Sequence, residues 1–517
     1  MYHNNLRPKS GLLGAVSVAA IASAGSASAQ GVSAEQINKL QAQIETLQRE
    51  LHSLKGKVNT AGKTAEQAYA AATPATKVPQ APPSAIVKMS ANNRPSICTA
   101  DGLNCIALTS RLHLDVGGYS YSPNTAATSP QHLDDGVNAR RARIGVLGTF
   151  LGDWNYALIY DFGGSSDGFG GTASGSLPGG GASGINNAYL SYVGIKPFGG
   201  SLAIEGGYMD VPYTLSEAMS SNDILFMERA SSQVIAANIA AGDNRSAAGA
   251  RWYNDSFWIG AYATGPTSGA IHSGSSSSPA ATTEQWGGVA RAALQYTAAK
   301  DVTFHIGGDA EFLFKPAFNR TAATQTLTLS DRPELRIDPT SIISTGAIAD
   351  VRRAAVYSVE AAATYGPLFV QGEYFWYNVD RRDFTGRPKL NFNGGYAEAS
   401  FVLTGETHTY NPGSGAYNGV TPANPFSLSG GGWGAWEIAA RYSIIDLNDR
   451  LGFAAPDGVA GGKQTVYTAG VNWYVNRNVR FMFNYLHGDI DKQASATNTA
   501  DVGARFDAGA MRMQVAF

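Results

Sequence analysis

The sequence is poor in charge, in long apolar stretches and in metal-ligating residues, and each shortage excludes a class of protein. Charged residues are 15% of the 517 positions and the net charge is −2, so no overall field would attract nucleic acid. Outside the amino terminus no apolar run reaches the roughly eighteen residues of a transmembrane helix, which excludes a helical membrane protein. With two cysteines and eight scattered histidines, we expect neither a metal site nor a cofactor.

Glycine and aromatic residues are abundant instead, with 60 glycines and 8 Trp, 24 Tyr and 21 Phe, and apolar residues alternate with polar ones. At the carboxyl end, Phe517, Val515 and Met513 fall on one face of a strand. Arg512 and Gln514 fall on the other face. The same period of two recurs over about four hundred residues, which is typical of a transmembrane β-barrel with a wet interior.

Sixteen segments alternate in this way, joined by short turns on one side and long polar loops on the other, which predicts an all-β, sixteen-stranded antiparallel barrel with periplasmic turns. A further alternating segment, 325–338, would make the count odd, so residues 314–351 are predicted to form one long loop. That loop, loop 210–244 and turn 405–432 are long enough to fold into the lumen. The strands are predicted at 109–121, 137–151, 154–163, 186–197, 201–209, 245–253, 256–265, 284–297, 301–313, 352–365, 368–380, 391–404, 433–446, 463–475, 478–490 and 504–517.

Three segments precede the predicted barrel at 107–517. Residues 1–29 combine basic residues, an apolar stretch and a small-residue cleavage site, as in a signal peptide for export. Residues 30–59 carry apolar positions in steps of three and four, which predicts a short periplasmic coiled coil that self-associates, or else a helix lying on another surface. Residues 60–106 read as a linker that ends in a loop containing Cys98 and Cys105.

The two cysteines stand seven positions apart in an exported chain that would meet an oxidising periplasm. We expect a local disulfide between Cys98 and Cys105. The alternative is a reduced pair without a role.

Several blocks, in order along residues 111–517, resemble the phosphate-selective (O and P type) outer-membrane porin family of Gram-negative bacteria. The resemblance implies a homotrimer of sixteen-stranded barrels in outer-membrane lipid, with inward-folded loops that narrow each pore and arginines along an anion path. The blocks that carry it are Ala139-Arg-Arg-Ala-Arg-Ile-Gly145, Asp153-Trp-Asn-Tyr156, Ser220-Ser-Asn-Asp-Ile-Leu-Phe-Met-Glu-Arg229, Arg332-Pro-Glu334, Tyr365-Gly-Pro-Leu-Phe-Val-Gln-Gly-Glu-Tyr374, Leu403-Thr-Gly-Glu406, Gly434-Ala-Trp-Glu437, Arg441-Tyr442, Asp446-Leu-Asn-Asp449, Val471-Asn-Trp-Tyr474 and Met482-Phe-Asn-Tyr485.

The pore-lining candidates follow from these blocks. Arg140, Arg141 and Arg143 match the family's arginine-rich strand, and by parity Arg141 and Arg143 share one face, which we predict to be the lumen. The alternative is that these arginines pair with lumen carboxylates for structure alone. Glu228 and Arg229 either pair with each other or line the constriction, or have a structural role only.

One departure from the family bears on the solute. The resemblance implies an arginine-rich run ahead of Arg-Pro-Glu, where this chain has the uncharged run Thr326 to Ser330 and then Asp331, so only Arg332 and Arg336 remain as candidates there. Lumen carboxylates would further weaken an anion field. We therefore expect a non-enzymatic porin that prefers small anions such as chloride or phosphate, with phosphate selectivity left open.

Two alternatives belong to other functional classes. One is a general or carbohydrate-type porin whose coil tethers it to peptidoglycan. The other is an outer-membrane hydrolase, for which the sequence offers no nucleophile, base and orienting group at one rim.

Overall fold

The computed structural model describes residues 85–90, 93–127, 131–163, 184–240, 242–267, 285–319, 323–382 and 386–517, together with six separate positions between 46 and 57. The chain divides into two units, Met1–Ala81 and Pro82–Phe517. The six separate positions are all helical. The predicted signal peptide and the apolar seam of the predicted coil lie outside the described residues. Among the described residues, no helix has the length and apolarity needed to cross a membrane.

Sixteen long strands of the described residues form one antiparallel sheet in which each strand pairs with the next, and β16 pairs with β1 to close the barrel. Closure leaves no free sheet edge among the described strands of the wall. The predicted sixteen-stranded barrel is confirmed, and where sequence analysis placed a loop at 314–351, the described residues between Lys315 and Val351 connect two wall strands. The strands are β1 (Cys105–Pro123), β2 (Gly136–Phe150), β3 (Trp154–Asp161), β4 (Gly184–Ile195), β5 (Ser201–Val211), β6 (Gly242–Tyr253), β7 (Phe257–Thr267), β8 (Trp286–Ala299), β9 (Val302–Lys315), β10 (Val351–Tyr365), β11 (Leu368–Arg381), β12 (Leu390–Val402), β13 (Ala435–Asp449), β14 (Val459–Tyr474), β15 (Val479–Asp491) and β16 (Ala504–Ala516).

Alternation along each strand separates an apolar exterior from a largely polar interior. On β3, Leu158 is 54% exposed on the outer face, whereas Asp161 is fully buried on the inner face. On β13, Ile438 faces outward and Glu437 inward. Two-residue parity therefore predicts the lipid face correctly. Charged side chains face inward because charge is costly in lipid, where a basic residue at mid-bilayer costs roughly 2–4 kcal/mol.

Two long connections at one end of the barrel turn back into its lumen. The inner loop (residues 212–240) contains helices α1 (Leu215–Ala218) and α2 (Ser231–Ala240), and most of its side chains are buried. The return loop (residues 316–319 and 323–350) pairs Ser330–Asp331 with Ile343–Ser344 and contacts the inner loop through a hydrogen bond from the Ser231 amide to Glu334, at 2.9 Å.

From the opposite end, the long turn (residues 403–434) also enters the lumen. Its short strands Tyr410–Asn411 and Ala416–Tyr417 form a hairpin. The Tyr417 hydroxyl donates to the carbonyl of Thr303 at the start of β9, at 3.1 Å. The remaining short elements are the 3-10 helix Pro197–Gly199 and the strand pairs Phe318–Asn319 with Thr324–Gln325 and Gln493–Ser495 with Asn498–Asp501.

An apolar core fills part of the lumen, which parity alone does not predict. Helix α2 is buried along its whole length except at Asn238, and it belongs to the same cluster as Phe375 and Tyr377 of β11. Burying each Ile or Val side chain of such a helix contributes roughly 1.5–3 kcal/mol. The inner loop is therefore a packed part of the molecule, fixed in place by apolar contact as well as by charge.

A small hairpin extends the wall at the turn end, where sequence analysis placed the last part of a linker. Ile86–Met89 pairs with Pro95–Cys98, which pairs with the first residues of β1. Cys98 and Cys105 are cross-strand neighbours joined by a disulfide, with sulfur atoms 2.10 Å apart. Each strand of this hairpin has four residues, too few for an alternating pattern to identify it in the sequence.

Candidate functional site: the arginine-lined lumen

A β-bulge in β2 directs adjacent arginines into the lumen. His113 of β1 pairs with Arg141, but the next residue, Leu114, pairs with Ala139, so Arg140 is the extra residue on β2. Arg140 and Arg141 are consequently both buried, each 1% exposed, although strict alternation would place them on opposite faces. Arg143, two positions on, is also buried and pairs with Asp161 of β3 at 2.8 Å.

Glu228 of the inner loop is the centre of a charged cluster against the barrel wall. Its carboxylate accepts hydrogen bonds from Arg140, at 2.8 and 3.0 Å, and from Arg512 of β16, at 2.8 Å. Arg336 of the return loop approaches it to 3.8 Å. Burial would raise the pKa of the Glu228 carboxyl, but the guanidiniums of Arg140 and Arg512 outweigh burial and hold that pKa well below its usual range.

Other wall side chains hold the inner loop through its backbone. Arg512, itself paired bidentately with Asp115 at 2.6 and 2.7 Å, donates to the carbonyl of Met227. Arg441 donates to the carbonyl of Glu228 at 2.8 Å and to Glu334 at 2.7 Å. These arginines satisfy backbone groups that would otherwise be buried without partners.

Carboxylates on the opposite wall hold the start of the inner loop. Glu373 of β11 accepts from the amides of Leu215 and Ser216, at 2.7 and 3.2 Å, and so caps the amino terminus of α1. Asp309 accepts from the Thr214 amide at 3.0 Å. Asp309, Glu360 and Glu373 bring oxygen atoms within 4.8 Å of one another. Arg291 forms ion pairs with Glu360 at 2.9 Å and with Asp309 at 3.4 Å. The cluster therefore holds the start of the inner loop against the wall.

Two adjoining cavities lie between these tethered elements and the wall. The larger, about 420 Å³, lies between the inner loop, the long turn and the wall, and the smaller, about 330 Å³, lies at the turn end beside the carboxyl terminus. Arg111 and Ser220 line both cavities. The charged side chains of the larger cavity are Arg111, Arg143, Arg229, Arg251, Asp210 and Glu217. Those of the smaller cavity are Arg94, Arg111, Arg477, Arg480 and Asp223.

Some of the predicted site residues line these cavities, and others hold the inner loop against the wall. Arg143 and Arg229 line the larger cavity. Arg140, Glu228 and Arg336 meet in the cluster that holds the inner loop.

Three of the predicted residues contact neighbouring loops or strands. Arg229 pairs with Glu217 at 3.5 Å and also donates to the Met219 carbonyl. Arg332 is half-buried, and its carbonyl accepts from the Ser231 hydroxyl at 3.3 Å. Arg141 is buried beside His113.

Sequence analysis missed several arginines of the cavities, of which Arg111 and Arg480 are examples. Both occupy inward positions of β1 and β15, on the same faces as the buried residues Asp115 and Asn484. Strand parity therefore contained the signal, but the pore-lining candidates predicted on wall strands all belonged to β2.

Curated relatives match parts of the chain. An uncharacterized protein from Caulobacter vibrioides is 33% identical over 187 residues, which cover 36% of this chain and 34% of that protein. Porin O from Pseudomonas aeruginosa is 30% identical over 140 residues, 27% of this chain and 30% of that protein. The matched stretches thus span about a third of the length of each curated relative.

Solved structures with a similar chain path include the anion-selective porin from Comamonas acidovorans, 15% identical over 80% of this chain and 100% of that chain, with a TM-score of 0.42. The outer membrane channel DcaP of Acinetobacter baumannii is 11% identical over 81% of this chain and 99% of that chain, with a TM-score of 0.43. Similarity at this level carries no conclusion about solute or assembly.

The family comparison covers the whole barrel. The family model described as phosphate-selective porin O and P matches residues 106–517, from the first strand to the last residue. The chain therefore belongs to the phosphate-selective porin O and P family, whose members are outer-membrane channel proteins and not enzymes.

Proposed function

We propose that the protein is a passive-diffusion channel for small hydrophilic solutes, with a moderate preference for anions. The observation that carries this proposal is the charge of the two adjoining cavities. Four arginines line each cavity and Arg111 is shared, which gives seven arginines against three side-chain carboxylates, those of Asp210, Glu217 and Asp223, and the α-carboxylate of Phe517. An excess of fixed positive charge in a narrow aqueous space concentrates anions and repels cations.

Arginine suits this role because its guanidinium stays charged and offers several donors to an oxyanion or a halide. Pairing weakens each site. Arg143 shares its charge with Asp161 and Arg251 with Glu205, at 2.8 and 2.9 Å. Partly neutralised sites bind an anion weakly enough to release it, which conduction requires.

Phosphate selectivity has less support than a general anion preference. Of the two arginines near the Arg-Pro-Glu block, Arg336 is committed to Asp331 at 2.8 Å and lies near Glu228. Within the described residues, this leaves the arginines of the cavities as the main sites for anions. We propose that chloride and phosphate pass by charge and size, without a high-affinity phosphate site.

The assembly we propose is a homotrimer in the outer membrane. A groove on the outer wall is floored by small residues, among them Ala361, Gly372, Ala397 and Ala440, which lets another surface approach the backbone closely. In this proposal the coil lies in the periplasm, and peptidoglycan is its partner. Cross-linking of the full chain in outer membranes tests the subunit number, because a trimer gives a band of three times the monomer mass.

Reversal potentials of the reconstituted full chain in planar bilayers test the proposed function. In a potassium chloride gradient we expect an anion-selective potential. The double variant Arg111→Ala/Arg143→Ala should move that potential toward cation selectivity. Arg505→Ala is the matched control, because Arg505 is exposed and pairs with Asp489 away from the cavities.

Two results would contradict the proposal in different ways. A cation-selective wild type would remove the anion preference. Added inorganic phosphate that blocks chloride current at submillimolar concentration would restore phosphate selectivity as the better account.

A further inference from the structure

The long turn is held in the lumen by two kinds of contact, at its tip and at its stem. At the tip, Arg291 donates to the carbonyls of Ser414 and Gly415, at 3.0 and 2.6 Å. At the stem, His408 is fully enclosed and contacts both the wall and the far side of the turn. The tip contacts do not titrate near neutral pH, whereas the stem contact contains an imidazole that does.

Both ring nitrogens of His408 face acceptors. Nε2 lies 2.6 Å from Oε1 of Glu437 on β13, and Nδ1 lies 2.9 Å from the carbonyl oxygen of Asn418. A neutral imidazole carries one N–H and could satisfy only one of these oxygens, leaving a lone pair against the other. Where Glu437 is ionised, both contacts therefore require the doubly protonated imidazolium. Its ring stacks on Phe369, with centroids 4.7 Å apart.

The groups around the pair favour a carboxylate at Glu437. Asn472 and the Tyr474 hydroxyl both donate to its second oxygen, at 3.0 and 2.7 Å. Arg480 of β15 and Asp223 of the inner loop are the other charged groups that face His408. Wall and loop thus surround the imidazolium with both signs of charge.

The balance of these effects favours the proton on His408. Burial lowers the pKa of His408, but the Glu437 carboxylate outweighs burial and Arg480, so the net direction is upward from 6.5. A raised pKa in the docked turn means that the tie is fully present below pH 6.5. The tie is lost as pH rises through the higher value of the docked state.

A second histidine at the same turn lacks this requirement. His305 of β9 places Nε2 2.9 Å from Glu360 and Nδ1 2.9 Å from the hydroxyl of Tyr410. A hydroxyl can donate as well as accept, so a neutral His305 satisfies both partners. The contacts of His305 therefore do not require the second ring proton that the contacts of His408 require.

We propose that the long turn is a pH-sensitive element of the channel, in which the proton on His408 fastens the turn's stem to Glu437 and its loss loosens residues 405–421. This regulation rests on the proposed channel function. The stem residues Thr409, Asn418 and Thr421 line the smaller cavity, so loosening the stem changes the space through which solutes would pass. Because the turn enters from the turn end of the barrel, that side should sense the pH.

Hydrogen exchange of the full chain in detergent tests the tie without any conduction. After correction for intrinsic exchange rates, amides of residues 405–421 should lose protection between about pH 5.5 and about pH 8.5, while strand amides keep theirs. In His408→Gln, the same amides should be poorly protected at both pH values. Equal protection of residues 405–421 in wild type and His408→Gln at the lower pH would overturn the proposal.

Planar-bilayer recordings test the consequence for the channel. Raising pH on the turn side alone should increase open-channel current noise in wild type, and His408→Gln should abolish that dependence. His305→Gln should retain it, as should His487→Gln, whose histidine pairs with Asp507 at 2.9 Å outside the lumen. If current noise does not depend on pH although residues 405–421 lose amide protection as pH rises, the tie stands and its regulatory role in the channel is overturned. Absence of any current would instead count against the proposed function.

Discussion

Neutralising Glu228 should release the inner loop from the wall without unfolding the barrel. In Glu228→Gln the side chain keeps its shape but loses the charge that faces Arg140 and Arg512, at 2.8 Å each, and Arg336 at 3.8 Å. Removing one partner of a buried ion pair costs roughly 3–5 kcal/mol, because the remaining charges stay buried. Arg512 retains its bidentate pairing with Asp115, so the lower part of that range is expected.

Such a loss corresponds to a local opening that is roughly a hundredfold to a thousandfold more frequent, since about 1.4 kcal/mol is a factor of ten. Hydrogen exchange of residues 222–230 measures it directly. Glu217→Gln is the matched control on the same loop, because its contact to Arg229 is longer, at 3.5 Å, and a smaller change is expected. Unchanged protection of residues 222–230 in Glu228→Gln would refute the idea that this cluster holds the loop.

Two further predictions concern the wall. Leu158→Arg should lower the free energy of unfolding in lipid vesicles, measured by urea titration, by about 2–4 kcal/mol. Asn155→Arg, on the inner face, should lower it much less. Equal losses of stability in the two variants would contradict the assignment of faces. Reducing the Cys98–Cys105 bond should destabilise the attachment of strands Ile86–Met89 and Pro95–Cys98 by about 2 kcal/mol, as expected for a closed loop of seven residues. Amide hydrogen exchange of these two strands should become faster, while the amides of β2 to β16 keep their protection. Loss of protection throughout the barrel would contradict a purely local role.

The barrel could be predicted from sequence because its wall follows a local rule. A period of two decides whether Leu158 meets lipid and Asp161 meets the lumen, and turn residues such as Gly152 and Gly366, both with positive φ, mark where each strand ends. An even strand count then assigned residues 314–351 to a loop. Each of these inferences uses residues that are close in the chain.

The interior could not be predicted in the same way, because its contacts join residues far apart in sequence. Glu228 meets Arg512 across 284 positions, and no local pattern specifies that pairing. The bulge at Arg140 changes which side chains face inward, and alternation alone gives the wrong face for one of two adjacent arginines. The apolar lumen around Phe375 exists only because α2 covers it.

Covalent modification of a single introduced thiol tests most directly whether solutes pass along the arginine-lined cavities. Ser220 lines both cavities, and both native cysteines are joined in a disulfide, so Ser220→Cys adds the chain's one free thiol. A bulky methanethiosulfonate reagent should then reduce the conductance of open Ser220→Cys channels in steps and leave wild type unaffected. Complete labelling, verified by mass, with unchanged conductance would contradict the account.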